Sequence, residues 1–380
     1  AELIWRSTQA GVFYEFGKYS LISLLVLSIL KWKFLSISNK WPAIYFILLL
    51  PSIFLLPFFD RQTISFYLSG PLLLAVSTMY FSAVYINRDQ IKKILLAILG
   101  PTVGMGFLAL YSTLINVDML SFSAQSNFIT SGGFGPVQVS AQLGLGALLA
   151  FYYFVSEKKD RFVSIFMLAL AIWLIAQTVF TFSRTGVYNA VLAMLMGGFF
   201  ILRENRQRIS FLFGGGLVLI VFVFVVFPFM DDFTGNQLGL RLQEIRSLDR
   251  ELLMQSDWNI FLSNPIFGVG PGQAQFFHSL FGIDASSHTE YTRLLSEHGS
   301  LGLASLLILF GLVLSRFLKK TTSEQKGIAV LLTAWVMIYM VSISLRTAAP
   351  GFIFGLGGAM FLFDEDEKDV VGETRAVVRR

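Results

Sequence analysis

Apolar runs of roughly 18–25 residues recur along nearly the whole chain, each long enough as a helix to cross about 30 Å of hydrocarbon. They fall near 12–30, 42–59, 64–86, 91–115, 137–155, 162–180, 185–202, 209–229, 300–318, 328–345 and 349–363. The runs are continuous rather than alternating with period two, so they read as helices and not as barrel strands. A mean hydropathy of +0.68, with 55% hydrophobic and 14% charged residues, excludes an ordinary soluble domain. The expected fold is therefore an all-α integral membrane protein with about 11–12 transmembrane helices. Eleven spans put the amino terminus outside. One more helix ahead of Ala1 would make twelve and return both ends to the cytoplasm. The first span lacks a basic flank and a small-residue cleavage site, so it reads as a retained span.

Charge in the connecting segments alternates. Lys31, Lys33 and Lys40 fill one segment, and Arg88, Lys92 and Lys93 the next but one. Lys158, Lys159 and Arg161 follow, then Arg203, Arg206 and Arg208, then Arg316, Lys319, Lys320 and Lys326. The intervening short segments hold only Arg61, Arg184 and Arg346, one each. Short cytoplasmic loops collect Lys and Arg, so the rich set is expected inside and the poor set outside. An arginine kept on the poor side at the end of an apolar helix points to an anionic ligand. The sequence pI of about 9.3 then reflects basic loops beside anionic lipid rather than nucleic-acid binding. The absence of cysteine excludes disulfides, cysteine-ligated metal centres and thiol catalysis.

These patterns divide the chain into an N-terminal transmembrane bundle (1–229), an extracytoplasmic loop (230–298), C-terminal transmembrane helices (299–363) and an acidic cytoplasmic tail (364–380). The loop holds all three histidines, His278, His288 and His298, together with Arg241, Arg246, Arg250 and Arg293. Leu238 to Leu262 reads as an amphipathic helix that ends at Asn264-Pro265. A second helix is expected after Ser286-Ser287, with Tyr291, Leu294, Leu295 and His298 on one face and Glu290, Arg293 and Glu297 on the other. Ser131-Gly132-Gly133-Phe134-Gly135-Pro136 is a further outer loop, permissive enough to fold close to a ligand.

Three stretches carry a resemblance. Gly133-Phe134-Gly135-Pro136 precedes Gln138-Val139-Ser140, and Ser183-Arg184-Thr185-Gly186 opens a span. The insertion runs from Arg250-Glu251-Leu252-Leu253 through Asn264-Pro265-Ile266-Phe267-Gly268-Val269-Gly270-Pro271-Gly272. It continues with His288-Thr289-Glu290-Tyr291 and ends on Leu294-Leu295-Ser296-Glu297-His298-Gly299-Ser300-Leu301-Gly302. In this order the stretches resemble the O-antigen polymerase and O-antigen ligase superfamily of bacterial surface-polysaccharide enzymes, over about residues 130–302. Val137 and Thr289 depart from it, since members often carry Asn at both places.

The resemblance implies a GT-C-like membrane glycosyltransferase in the bacterial inner membrane, with its active site on the periplasmic face. Its donor would be an undecaprenyl-diphosphate-linked glycan, and its acceptor a second glycan or lipid A-core. Membrane lipids are further partners, a polymerase adds a chain-length regulator, and no nucleic acid or cofactor is implied. The chemistry asks for guanidinium groups to stabilise a leaving diphosphate and a base for the acceptor hydroxyl. Arg184 and Arg250 match the first need and His288 the second. Arg241, Arg246, Arg346 and Tyr291 extend the candidate substrate-binding set. No metal site is expected, Asp231-Asp232 being the nearest acidic pair on the outer side.

The competing readings of these residues are structural. Arg184 could anchor its span by snorkelling, Arg250 could belong to a solvated face, and His288 could cap its helix. At the level of function the first reading is a polymerase of lipid-linked repeat units. An O-antigen ligase is the alternative, followed by a protein O-oligosaccharyl ligase. A flippase would need buried charge at mid-bilayer and symmetry between halves, neither of which the chain displays.

Overall fold

The structure is a computed structural model describing residues 15–31, 39–57, 60–116, 127–156, 160–201, 213–217, 219–243, 248–279, 282, 285–319 and 321–363. The expected tail, 364–380, lies outside the described residues. The protein is an all-α integral membrane protein with almost no strand. Helix α1 spans Phe16–Lys31, α2 Trp41–Ile47 and α3 Arg61–Ser82. A short strand β1, Tyr85–Asn87, leads into α4, Arg88–Ile115. Then come α5 (Pro136–Ser156), α6 (Arg161–Phe180) and α7 (Thr185–Ile201). Helix starts follow from capping chemistry. Asp60 accepts from the Gln62 and Thr63 amides, Asp160 from those of Phe162 and Val163, and Asn87 forms a capping box with Gln90.

Beyond α7, an apolar helical stretch over Phe213–Phe233 includes a π-helical turn at Phe222–Val226 and ends as α8, Phe227–Phe233. The insertion contributes α9 (Gln237–Gln243), α10 (Leu248–Ser263) and α11 (Ala274–Ser279). Long α12, Glu290–Leu318, is followed by α13 (Ser323–Tyr339), α14 (Ala348–Leu356) and strand β2, Met360–Leu362.

Among the described residues, six helices are long and apolar enough to cross a membrane: α3, α4, α5, α6, Phe213–Phe233 and α12. Helix α5 is central and the most buried of the six. At 16, 17 and 17 residues, α1, α7 and α13 sit near the lower length for a span.

Two expected spans are broken. The run at 42–59 stops as α-helix at Ile47, because Pro51 starts a separate 3-10 turn, Pro51–Leu55. The run at 349–363 is only nine helical residues followed by extended backbone. Parallel packing on α3 accounts for that ending. Backbones meet where Gly70 lies against Leu345, Gly351 against Leu74 and Gly355 against Ser77. The two chains then leave side by side as a parallel pair, Tyr85 opposite Met360 and Asn87 opposite Leu362.

Close approach through glycine also fixes the centre. A Cβ on Gly186 would fall 1.9 Å from the Ser140 carbonyl oxygen, which brings the start of α7 onto α5. In a membrane such small-residue contacts replace the hydrophobic drive that water would supply. Farther along, Gly197 meets Leu331 and Gly327 meets Ile201, so α7 and α13 run antiparallel. The start of α7 and the end of α13 therefore share one end of the bundle. The other end carries Arg88, Lys92, Lys319 and Lys326.

Candidate active site

The insertion packs on a broken helix. Within α12, Gly299 adopts φ 61° and ψ −140°, so the segment is two helices joined at a kink. The kink frees carbonyls that an unbroken helix would bond. The Val269 amide donates to the Ser296 carbonyl (3.0 Å) and the Gly270 amide to that of Glu297 (2.9 Å). In return, the Ser300 amide donates to the Pro265 carbonyl (2.7 Å). The loop Asn264–Gly272 thus acts as a backbone splint, and its glycines are required by contact: a Cβ on Gly268 would lie 2.4 Å from the Glu297 carbonyl carbon.

Asp257 of α10 organises the approach to α12. Its Oδ1 accepts from Ser287 Oγ (2.7 Å), His278 Nε2 (3.0 Å) and Ser296 Oγ (3.1 Å), and its Oδ2 from Thr292 Oγ1 (2.7 Å). His278 Nδ1 donates to the Ala285 carbonyl (2.7 Å). Both imidazole nitrogens therefore face acceptors, which favours the doubly protonated ring. Burial opposes that charge, but the hydrogen bonds to Asp257 and Ala285 and the Asp257 charge outweigh it, raising the pKa above its ordinary value.

On the other side of α12, Glu290, Arg293 and Glu297 form a buried ion triad. Arg293 Nε donates to Glu290 Oε2 (2.8 Å) and Nη1 to Glu297 Oε2 (3.3 Å). The second Glu290 oxygen accepts from the Leu345 amide (3.0 Å). The guanidinium also lies 5.4 Å from the centre of the Tyr67 ring. The three share one face, as the spacing predicts, and α3 and residues 340–346 cover it, so the triad is interior.

Arg346 joins this layer. Its guanidinium sits 5.8 Å from the Tyr67 ring and 5.6 Å from Phe66, and Nη2 donates to Ser286 Oγ (3.0 Å). The loop carrying half-buried His288 is thus tied by Arg346 at Ser286 and by Asp257 at Ser287, and it ends in Thr289, the N-cap of α12. The Thr289 hydroxyl accepts from the Thr292 amide (3.0 Å). The other two histidines are interior. His298 joins Ser52 Oγ through Nδ1 (2.6 Å), in the break after α2.

The remaining candidates are dispersed around this end. Half-buried Arg184 opens α7, where Ser140 Oγ accepts from the Gly186 amide (3.0 Å) and donates to the Ser183 carbonyl (2.8 Å). The end of α13 links that region to α12, since the Glu290 amide donates to the Met340 carbonyl (2.9 Å). Arg250 is exposed in the first turn of α10. Contacts from Asp257 to Thr292 and from Pro265 to Ser300 make α10 and α12 parallel, so Arg250 lies about 10 Å along the axis from Asp257, toward the His288 end. Tyr291 turns away, donating to the Met337 carbonyl (2.7 Å) and stacking on Phe310. The Arg241 side chain and all of Arg246 lie outside the described residues. Asp231 caps α9 by accepting from the Gly239 amide (2.7 Å). Asp257, Glu290 and Tyr67 were not among the sequence candidates. For Asp257 the only signal is a carboxylate on the buried side of α10.

No curated protein matches the chain. A family model described as O-antigen ligase matches residues 169–307, from within α6 through α7 and the insertion to the kinked α12. This span contains Arg184, Arg250, Asp257, His288 and the ion triad. Over residues 169–307 the chain is thus similar to the O-antigen ligase family, consistent with the polymerase and ligase superfamily that the motifs resemble.

Proposed function

We propose that the protein transfers glycan from an undecaprenyl-diphosphate carrier to an acceptor hydroxyl, joining lipid-linked repeat units into a surface polysaccharide. The observation that carries this reading is the held loop at His288. Its flanking residues are tied to Asp257 and Arg346, at the bundle end that also bears Arg184 and Arg250. In this reading His288 takes the acceptor proton as the acceptor oxygen attacks the anomeric carbon. The bond from that carbon to the diphosphate oxygen breaks with inversion, and its electron pair leaves with the diphosphate. Arg184 and Arg250, planar donors at the rim, stabilise that departing charge, and Arg346 adds to the positive field from within.

The description of the matching family favours a second reading, in which a finished glycan is moved to lipid A-core. The two differ in acceptor. Purified protein is supplied with lipid-diphosphate-linked repeat units, alone or with lipid A-core. Elongated lipid-linked glycan in the first mixture supports the polymerase. Product only in the second supports the ligase, and none in either overturns both.

A further inference from the structure

The opposite end of the bundle holds a second site, which does not depend on the proposed reaction. A cavity of about 1120 Å³ opens between the end of α12, the start of α13, the end of α3 and the backbone at 357–362. Among the described residues its lining includes Arg316, Lys319 and Lys326, and no carboxylate. Glu324, beside it in sequence, is instead paired with Arg88 at 2.7 Å. Three like charges around one half-enclosed space repel one another unless an anion neutralises them.

Arg316 is oriented for such an anion. Its Nη1 donates to Thr333 Oγ1 (2.7 Å) and to the Phe354 carbonyl (2.8 Å), and its guanidinium lies 4.2 Å from the Phe354 ring centre. These contacts fix the plane of the fork. Among the described residues no protein acceptor meets Nη2 or Nε. Nη2 lies over Gly358, where a Cβ would come within 2.8 Å, so a glycine leaves this edge open.

The cavity continues into an apolar groove of about 500 Å³ with which it shares Asn39, Leu312 and Ser315. Trp41, Leu307, Ile308 and Gly311 complete the groove, and Trp41 and Leu307 are exposed on the bundle's outer surface. A basic chamber joined to an apolar groove fits an amphiphile better than a free ion. The lysine- and arginine-rich segments meet at this end, where anionic headgroups concentrate and basic interhelical pockets hold them. We propose that this chamber binds the headgroup phosphate of an anionic phospholipid, with an acyl chain along Trp41, Leu307 and Gly311.

The test is native mass spectrometry on the full chain, stripped of lipid in detergent and offered phosphatidylglycerol, phosphatidylcholine or inorganic phosphate. Phosphatidylglycerol should be retained at least ten-fold better than phosphatidylcholine. The double variant Lys319→Gln, Lys326→Gln should erase that preference and leave the protein monodisperse, since Lys319 is exposed and Lys326 half-buried, its ammonium 5.7 Å from the centre of the Phe200 ring. Gly311→Leu should weaken lipid retention without changing any competition by phosphate. Equal retention of the two lipids, or undiminished preference in the double variant, overturns the proposal. So does displacement of the lipid by inorganic phosphate at equal concentration, which would mark a free-anion site. Binding only after removal of 364–380 would mean that the acidic run following β2 is the occupant, and would overturn it as well.

Discussion

Single side chains decide which groups could touch a diphosphate and which hold the site together. Arg184→Ala and Arg250→Ala should each raise the barrier by about 3–4 kcal/mol, a few hundred-fold in rate, and should weaken donor binding. Lysine should rescue poorly, because a point charge cannot reproduce a two-pronged hydrogen bond. His288→Ala should lose turnover yet retain the donor, a separation readable from single-turnover kinetics beside a donor-binding isotherm. Full turnover in that variant would remove His288 as base and leave the arginines untouched. Arg293 behaves differently, since its removal strands Glu290 and Glu297 without their cation. Arg293→Met should cost about 3–5 kcal/mol of stability, and an unchanged thermal midpoint in detergent would contradict the interior triad. Spacing alone made the shared face of Glu290, Arg293 and Glu297 legible. Its burial was not, because the covering groups, Tyr67 and the Leu345 amide, lie more than 50 residues away in either direction. Asp257 was illegible for the same reason: four donors from three segments give it meaning.

At the scale of elements, the starts of helices were written locally and their breaks were not. Asp60, Asn87 and Thr289 are caps that chemistry alone identifies. The kink at Gly299 looks from sequence like one more helical glycine, and only the loop pressed against it explains its conformation. Gly299→Ala should cost about 1–3 kcal/mol for the backbone region alone, before the clash with Ile266. Gly100→Ala, where nothing lies within 4 Å of a Cβ, is the matched control and should lose no stability. Equal thermal midpoints for both variants would dismiss the splint. The tie between α10 and α11 has a pH signature. The folded pKa of His278 lies above its unfolded value, so the pairing contributes fully below about pH 6.5 and is lost as pH rises through the folded value. Hydrogen-exchange protection of residues 274–279 should fall on going from about pH 6 to pH 9, after correction for intrinsic rates. His278→Gln should flatten that dependence, whereas a wild-type profile in the variant would assign it to another group.

Across the whole molecule, apolar run length conveyed the class of fold because the bilayer imposes it: a helix must be long enough to cross, or be covered where it is not. The count of spans was less legible. Pro51 and the α14–β2 ending replace full helices with pieces whose backbone is satisfied by neighbours, and hydropathy averages over such pieces. The charge alternation, by contrast, acts on the molecule as a unit and yields a direct test of orientation. Basic segments flank the insertion on either side in the alternation, so the insertion and the segment opening α13 are expected on opposite faces. The chain has no cysteine, which lets single ones report without background. Ser279→Cys, at the exposed end of α11, should react with an impermeant thiol reagent applied to intact cells. Ser323→Cys, in the first turn of α13, should react only after the membrane is opened. If both label from outside, the His288 loop and the basic cavity would share a face. The bundle could not then run antiparallel from α7 to α13 across one bilayer, and the proposed site would lose its outward orientation.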